Sequence, residues 1–246
     1  ARHIRRLDAN NNLDARAPSS YINAWGSNMP GLVGIISNQS PALCTARLNR
    51  MASMIAKESF HTSGTFVLDD IGIYIGWSVH NGSFSDCLPI INETGDKTMI
   101  IIGEVFPEEE HIGRLKTRGH DLAASKSSYL VHLFQEQGLR FLKGLNGWFS
   151  GILIDKAEAT CHLFNDRYGM ERVFIHEGGE VHFSSRAAAL LHVLPATRDF
   201  DPVGLGEYLT CGCTLGDRSL YKDIRILPPA SLWAMGQGEV RKKSLY

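Results

Sequence analysis

The chain has 246 residues, with 25 Lys+Arg against 26 Asp+Glu for a formal net charge of −1, and it is 43% hydrophobic and 21% charged. At roughly 150 residues per domain this length allows one large domain or two small ones, with material enough for a real core. The charge balance excludes a groove that holds nucleic acid by counterion release. No run of about 18 apolar residues is present to span a membrane, and five cysteines, an odd number without paired spacing, do not read as a disulfide framework. A cytoplasmic globular protein is expected.

Residues 1–28 differ from the rest. Asn10, Asn11 and Asn12 form a polar run among Arg2, Arg5, Arg6 and Arg16, and no apolar periodicity is sustained. Asp8 and Asp14 fit a transit peptide poorly, so this segment reads as a leader or tag outside the fold. Met29 is the natural start, and 29–246 is expected to form one domain.

From there the elements follow in order. Leu32 to Ile36 is a short apolar run that suits a buried strand. Ala42 to Ile55 places Leu43, Leu48, Met51, Met54 and Ile55 near one helical face, with Pro41 suited to the first turn. Phe66 to Leu68 and Ile71 to Trp77 read as a hairpin around Asp69-Asp70, and Thr98 to Val105 as a further strand. Ser127 to Gln137 predicts a helix capped by Ser127 or Ser128, with Tyr129, Leu130, Leu133 and Phe134 as its stripe. Trp148–Ile154, Cys161–Phe164 and Val173–His176 are strand candidates, the last turning through Gly178-Gly179 into Val181–Ser184. Arg186 to Val193 and Pro202 to Leu209 look helical, and Ser231–Met235 with Val240–Ser244 close the chain as a hairpin. Most neighbouring strands are joined by turns too short for a parallel crossover. Mainly antiparallel sheets covered by a few helices are therefore expected, in the α+β class.

The chemistry scan is sparse. Cys211-Gly212-Cys213 is the only close cysteine pair and has no partner pair at zinc-ligand spacing, so no metal site is expected. No phosphate-binding G-x-x-x-x-G-K-[ST] loop and no G-x-S-x-G elbow occurs. Two polar clusters stand at strand ends: Gly103-Glu104, and Asn165-Asp166-Arg167-Tyr168-Gly169. The Asp166/Arg167 pair is either a site or a turn-stabilising pair, and the following Gly169 favours the turn.

Six segments, in register, carry a resemblance. Met29-Pro30-Gly31-Leu32-Val33-Gly34-Ile35 is similar to M-C-G-I-x-G, and Ile102-Gly103-Glu104-Val105-Phe106 to N-G-E-I-Y. Leu145 to Ser150 is similar to L-N-G-M-F-A, Asn165 to Met170 to A-R-D-R-F-G-I, Phe183 to Leu190 to F-A-S-E-I-K-A-L, and Leu227 to Ala230 to L-P-P-G. Together, over Met29 to Tyr246, they resemble the N-terminal glutaminase domain of asparagine synthetases, a class II glutamine amidotransferase. That resemblance implies a four-layer αββα sandwich of two mainly antiparallel sheets. It also implies a chemistry: an N-terminal cysteine attacks the glutamine amide with its own α-amino group as base, and nearby donors hold the oxyanion.

The matching positions depart from that pattern. Pro30 stands where the nucleophile belongs. The arginine that pairs with the glutamine carboxylate falls at Val79, the oxyanion asparagine at Ile102, and the aspartate that meets the α-ammonium near Lys126. Gly103 and Glu104 persist, and H-R-G-P-D is degraded to His61-Thr62-Ser63-Gly64. Cys44 is the nearest other thiol, but it sits in an expected helix with no adjacent base, and reads as structural. The resemblance thus implies a vestigial glutamine pocket at Val79, Ile102, Gly103, Glu104 and Lys126, with no catalytic residue. Asn146, Gly147, Asp166, Arg167 and Gly169 are retained as frame. Its remaining roles would be packing against an ATP-dependent amide-forming synthetase half, in cis or in trans, and assembly as a homodimer. ATP and Mg are expected only in that half, whose S-G-G-x-D-S loop is not in this chain. Two alternatives stay open: a non-enzymatic module in which Lys126 holds an anionic metabolite or a peptide, and an active amidotransferase with an unrecognised nucleophile.

Overall fold

Alternation along the strands builds the layers. In β10 (Val181–Ser184), Val181 and Phe183 belong to one apolar core, so His182 between them points to the opposite face. The computed structural model of the protein describes residues 4–6, 31–56, 60–120, 122, 127–236 and 239–244. Within them the strands form two sheets, antiparallel at every pairing.

The seven-stranded sheet runs β1 (Ile4–Arg6), β3 (His61–Leu68), β4 (Ile73–His80), β2 (Gly31–Ile36), β10, β9 (Phe174–Glu177), β11 (Arg225–Ile226). The six-stranded sheet runs β13 (Glu239–Ser244), β12 (Ser231–Gly236), β8 (Thr160–Asn165), β7 (Asn146–Asp155), β6 (Lys97–Phe106), β5 (Ile90–Ile91). Their facing sides share a core in which Leu32, Ile75 and Trp77 meet Ile100, Ile152 and Leu163. Each such buried side chain contributes about 1.5–3 kcal/mol relative to exposure. The helices α1 (Pro41–Ser53) and α4 (Ala187–Val193) cover the outer side of the first sheet, where Leu48, Met51 and Leu190 pack on Val33, Ile35 and Tyr74. On the outer side of the second, Leu115 of α2 (Glu109–Thr117) and Leu130 and Leu133 of α3 (Tyr129–Gln137) pack on Met99, Ile101 and Leu153. The result is the expected αββα order. None of the helices among the described residues is long and apolar enough to cross a membrane.

Several elements depart from expectation. In α1 the buried stripe is Cys44, Leu48, Met51 and Ala52. Leu43 is 38% exposed, because the spacing i, i+4, i+7, i+8 starting at Cys44 is the face the sheet covers. Ser127 and Ser128 do not cap α3. Ser127 Oγ donates instead to the Phe84 carbonyl (3.2 Å), and Ser128 Oγ to that of Leu122 (3.2 Å). Sequence periodicity missed α2, which buries only Leu115, and β5, which is two residues long. Ile4–Arg6, inside the segment expected to lie outside the fold, pairs with β3 in the register Ile4↔Phe66. A cap does form at α5 (Pro202–Cys211), where Asp201 accepts from the Val203 and Gly204 N–H groups.

Candidate functional site

Two glycines set the site. Gly103 in β6 has φ +95°, and a Cβ there would lie 2.2 Å from the Trp148 carbonyl oxygen. Gly147 in β7 has φ +151°, and a Cβ there would lie 2.2 Å from the Glu104 carbonyl oxygen. Side chains rarely adopt that backbone, so the two strand ends approach this closely only with glycine at both positions. The approach positions Glu104, opposite Trp148 in the register, at the rim of a cavity of about 190 Å³. The other walls are Val79 and His80 at the end of β4, Ser83 and Ser85 in the turn after it, and Glu171.

The wall is braced from behind. Ser85 Oγ donates to the Gly103 carbonyl (3.3 Å), and the His80 ring stacks on Phe60 at 5.7 Å between centroids. Asp166, 1% exposed, organises the turn after β8. Its carboxylate accepts the N–H groups of Phe149 (3.1 Å), Tyr168 (2.8 Å), Met170 (3.0 Å) and Glu171 (3.4 Å). Its own N–H donates to the Phe149 carbonyl, and its carbonyl accepts from Gly169 and Ala230. Gly169 takes φ +63° to close the turn. Asn165 extends the brace, accepting from the Ser231 N–H (2.7 Å) and donating to the Pro228 carbonyl (2.9 Å). The turn reading of Asp166 is the one this geometry supports; Arg167 and Asn146 are exposed.

Glu171 hangs from this turn. Its N–H is held by Asp166, its carbonyl accepts from Ser150 Oγ, and its Cγ lies beside Gly103. Burial, and then the charge of Asp166, hold its carboxyl above the ordinary carboxylate range. Among the described residues no cation or hydrogen-bond donor meets the carboxyl group of Glu171 or of Glu104. The cavity lining holds no thiol and no guanidinium. Chemically, it is a small cavity with Val79 and Trp148 as apolar walls and one imidazole, two hydroxyls and two carboxyl groups as its polar lining.

The structure brings Val79, Gly103 and Glu104 to the lining of one cavity. Ile102 is fully buried in the inter-sheet core and does not line it. Pro30 and Lys126 lie outside the described residues. Glu171, His80 and Trp148 were not singled out in the sequence; the one available signal was that Glu171 follows the Asp166 turn by five positions. Cys44 is 0% exposed between α1 and the sheet, which removes it as an accessible nucleophile.

A family described as "Glutamine amidotransferase domain" matches residues 29–246. Asparagine synthetase [glutamine-hydrolyzing] 2 of Bacillus subtilis (strain 168) is 28% identical over 189 residues, covering 70% of this chain and 24% of that protein. Asparagine synthetase [glutamine-hydrolyzing] of Zea mays is 33% identical over 106 residues, covering 42% of this chain and 18% of that protein. The chain thus spans a quarter or less of the length of these relatives. Among solved structures, the glutamine phosphoribosylpyrophosphate amidotransferase of B. subtilis, complexed with ADP and GMP, superposes with a TM-score of 0.57 at 13% identity, covering 88% of this chain and 49% of that one. A second match, described as the allosteric regulatory enzyme of purine biosynthesis, gives a TM-score of 0.58 at 13% identity over the same shares.

Proposed function

This chain belongs to the glutamine amidotransferase domain family, and on that premise we propose that it is the glutaminase-like part of an asparagine-synthetase-like amide ligase in which glutamine hydrolysis has been lost. Its remaining work is to pack against the ATP-dependent synthetase half and to support assembly, in the cytoplasm. One observation carries the reading. The side chain at the position the resemblance gives to the carboxylate-pairing arginine is Val79, 1% exposed, and the cavity lining contains no arginine or lysine. A glutamine α-carboxylate placed here meets no guanidinium to pair with, only the His80 imidazole and two serine hydroxyls beside the carboxyl groups of Glu104 and Glu171. Pro30, with neither thiol nor hydroxyl, supports the same conclusion from sequence.

The test is ammonia release from glutamine by protein that starts at Met29. Release no faster than a blank is the expected outcome. Release at an ordinary enzymatic rate, about 1 s⁻¹ or more, would overturn the proposal and return the search to an unrecognised nucleophile.

A further inference from the structure

Away from this cavity, three elements bring two imidazoles and a carboxylate together. Each has its own local reason for being there. Glu93 sits in the turn between β5 and β6, which is cross-linked by Asn92: its Nδ2 donates to Thr94 Oγ1 (2.8 Å) and to Asp96 Oδ1 (2.7 Å), and its Oδ1 accepts the Lys97 N–H (3.0 Å). His120 is delivered by the end of α2. Gly119 takes φ +85°, its N–H bonds the Lys116 carbonyl, and the His120 N–H bonds the Leu115 carbonyl, the paired pattern of a Schellman stop. His132 lies on α3 and is 3% exposed.

The side chains converge. The two imidazole rings stand 4.7 Å apart between centroids, tilted by 36°, and His132 Nε2 lies 3.6 Å from Glu93 Oε1. One ligand atom from each of Glu93, His120 and His132 lies within 4.8 Å of the other two. The outer contacts are those that orient metal-bound imidazoles: His132 Nδ1 is 2.9 Å from Gln135 Oε1, and His120 Nε2 is 3.1 Å from Glu136 Oε1. In the tautomer that donates from Nδ1 to the Gln135 oxygen, Nε2 is the nitrogen turned towards Glu93 Oε1, and a cation between the two would take both as ligands. Glu136, held by Arg118 at 2.7 Å, plays the same part for His120 by taking the proton of Nε2 and leaving Nδ1 its lone pair.

We propose that Glu93, His120 and His132 form a binding site for a divalent transition ion of the zinc type, with Gln135 and Glu136 orienting the imidazoles. The donor set, two neutral nitrogens and one carboxylate oxygen, is one that zinc accepts, with a water completing the shell. Tetrahedral ligands at about 2.0–2.1 Å from zinc stand about 3.3 Å from each other, so the site closes by shifts of an ångström or so, taken mainly by Glu93, whose side chain is 55% exposed. Binding displaces any protons on the ligand nitrogens, so affinity falls on acidification. The bound ion ties the β5–β6 turn, the end of α2 and α3 to one another.

The experiment uses the full chain carrying Cys211→Ser and Cys213→Ser, because those exposed thiols compete for the same ions. Zn²⁺ is titrated calorimetrically, and Co²⁺ by its visible absorption. One saturating equivalent is expected, with a rise in Tm. Glu136→Gln, which alters only the orienting shell, weakens binding by about 10-fold to 100-fold, and Glu93→Gln or His120→Asn by more. These three side chains are not fully buried, so the variants test the ion rather than the core. Absence of a stoichiometric saturable site overturns the proposal, and so does equal affinity in Glu93→Gln and His120→Asn. Neither outcome bears on the glutaminase assay.

Discussion

Asp166 and Glu171 stand five residues apart on one turn, and their surroundings are opposite. Asp166 is buried deeper, yet its carboxylate is met by four backbone N–H groups and serves as the hub of a turn that joins β7, β8 and the entry to β12. Glu171 is only partly buried and meets no donor among the described residues, its carboxyl facing open space instead. A buried carboxylate saturated with donors costs the fold nothing to keep and a great deal to remove. One left without partners costs the fold something whenever it is ionised. The first is frame, and the second lines the cavity.

Substitutions can break that comparison, beginning with the largest effect. Asp166→Ala orphans the buried N–H of Phe149 and removes the bonds to the partly buried N–H groups of Tyr168, Met170 and Glu171, and is expected to cost about 4 kcal/mol, read as a lower urea midpoint with an unchanged slope. A loss under about 1 kcal/mol would mean the turn holds itself without its hub. Gly103→Ala places a methyl against the Trp148 carbonyl in a left-handed backbone, and is expected to cost about 3 kcal/mol while closing part of the cavity. Glu171→Gln should act the other way and raise stability at pH 7 by about 1 kcal/mol. Because the folded-state pKa of Glu171 is raised above its ordinary 4.5, the wild type suffers no penalty below that value. It loses stability as pH rises through the folded pKa. The advantage of Glu171→Gln should therefore vanish in urea titrations below pH 4.5. An advantage that persists there, or a loss as large as that of Asp166→Ala, would place Glu171 in the frame as well.

What the sequence disclosed and what it hid follow from the same physics. Strands buried on alternating or both faces, such as Gly31–Ile36 and Asn146–Asp155, announce themselves by composition. The Gly178-Gly179 turn specifies the β9–β10 hairpin through local backbone chemistry alone. The α2 helix stayed hidden because a helix with one buried side chain has no stripe to detect, and in α1 the expected Leu48, Met51 and Ile55 are buried while Leu43 gives its place at the start of the stripe to the small thiol of Cys44. At the site, Val79, Gly103 and Glu104 were found through the resemblance and meet at the cavity. Glu171 was not, because its role depends on a turn that swings it across to another strand. Glu93, His120 and His132 were invisible as a group for a related reason: they come from three elements whose proximity is a property of the packed layers and of no local spacing.

The strand order also dictates how such a molecule assembles in time. β2 is sandwiched between β4, which follows it closely in the chain, and β10, so that Val33 lies opposite Gly76 on one side and Ser184 on the other. The first pairing can form soon after synthesis passes β4. The second must wait until most of the chain has emerged, and long-range pairings of this kind fold in milliseconds to seconds rather than microseconds. Throughout that wait the open edge of β2 carries Leu32, Val33 and Ile35 beside unpaired amides, a template for any other chain with a free edge. A nascent or truncated chain that stops before Phe174 should therefore associate through β2, and the arrival of β10 is the event that makes the protein safe to release.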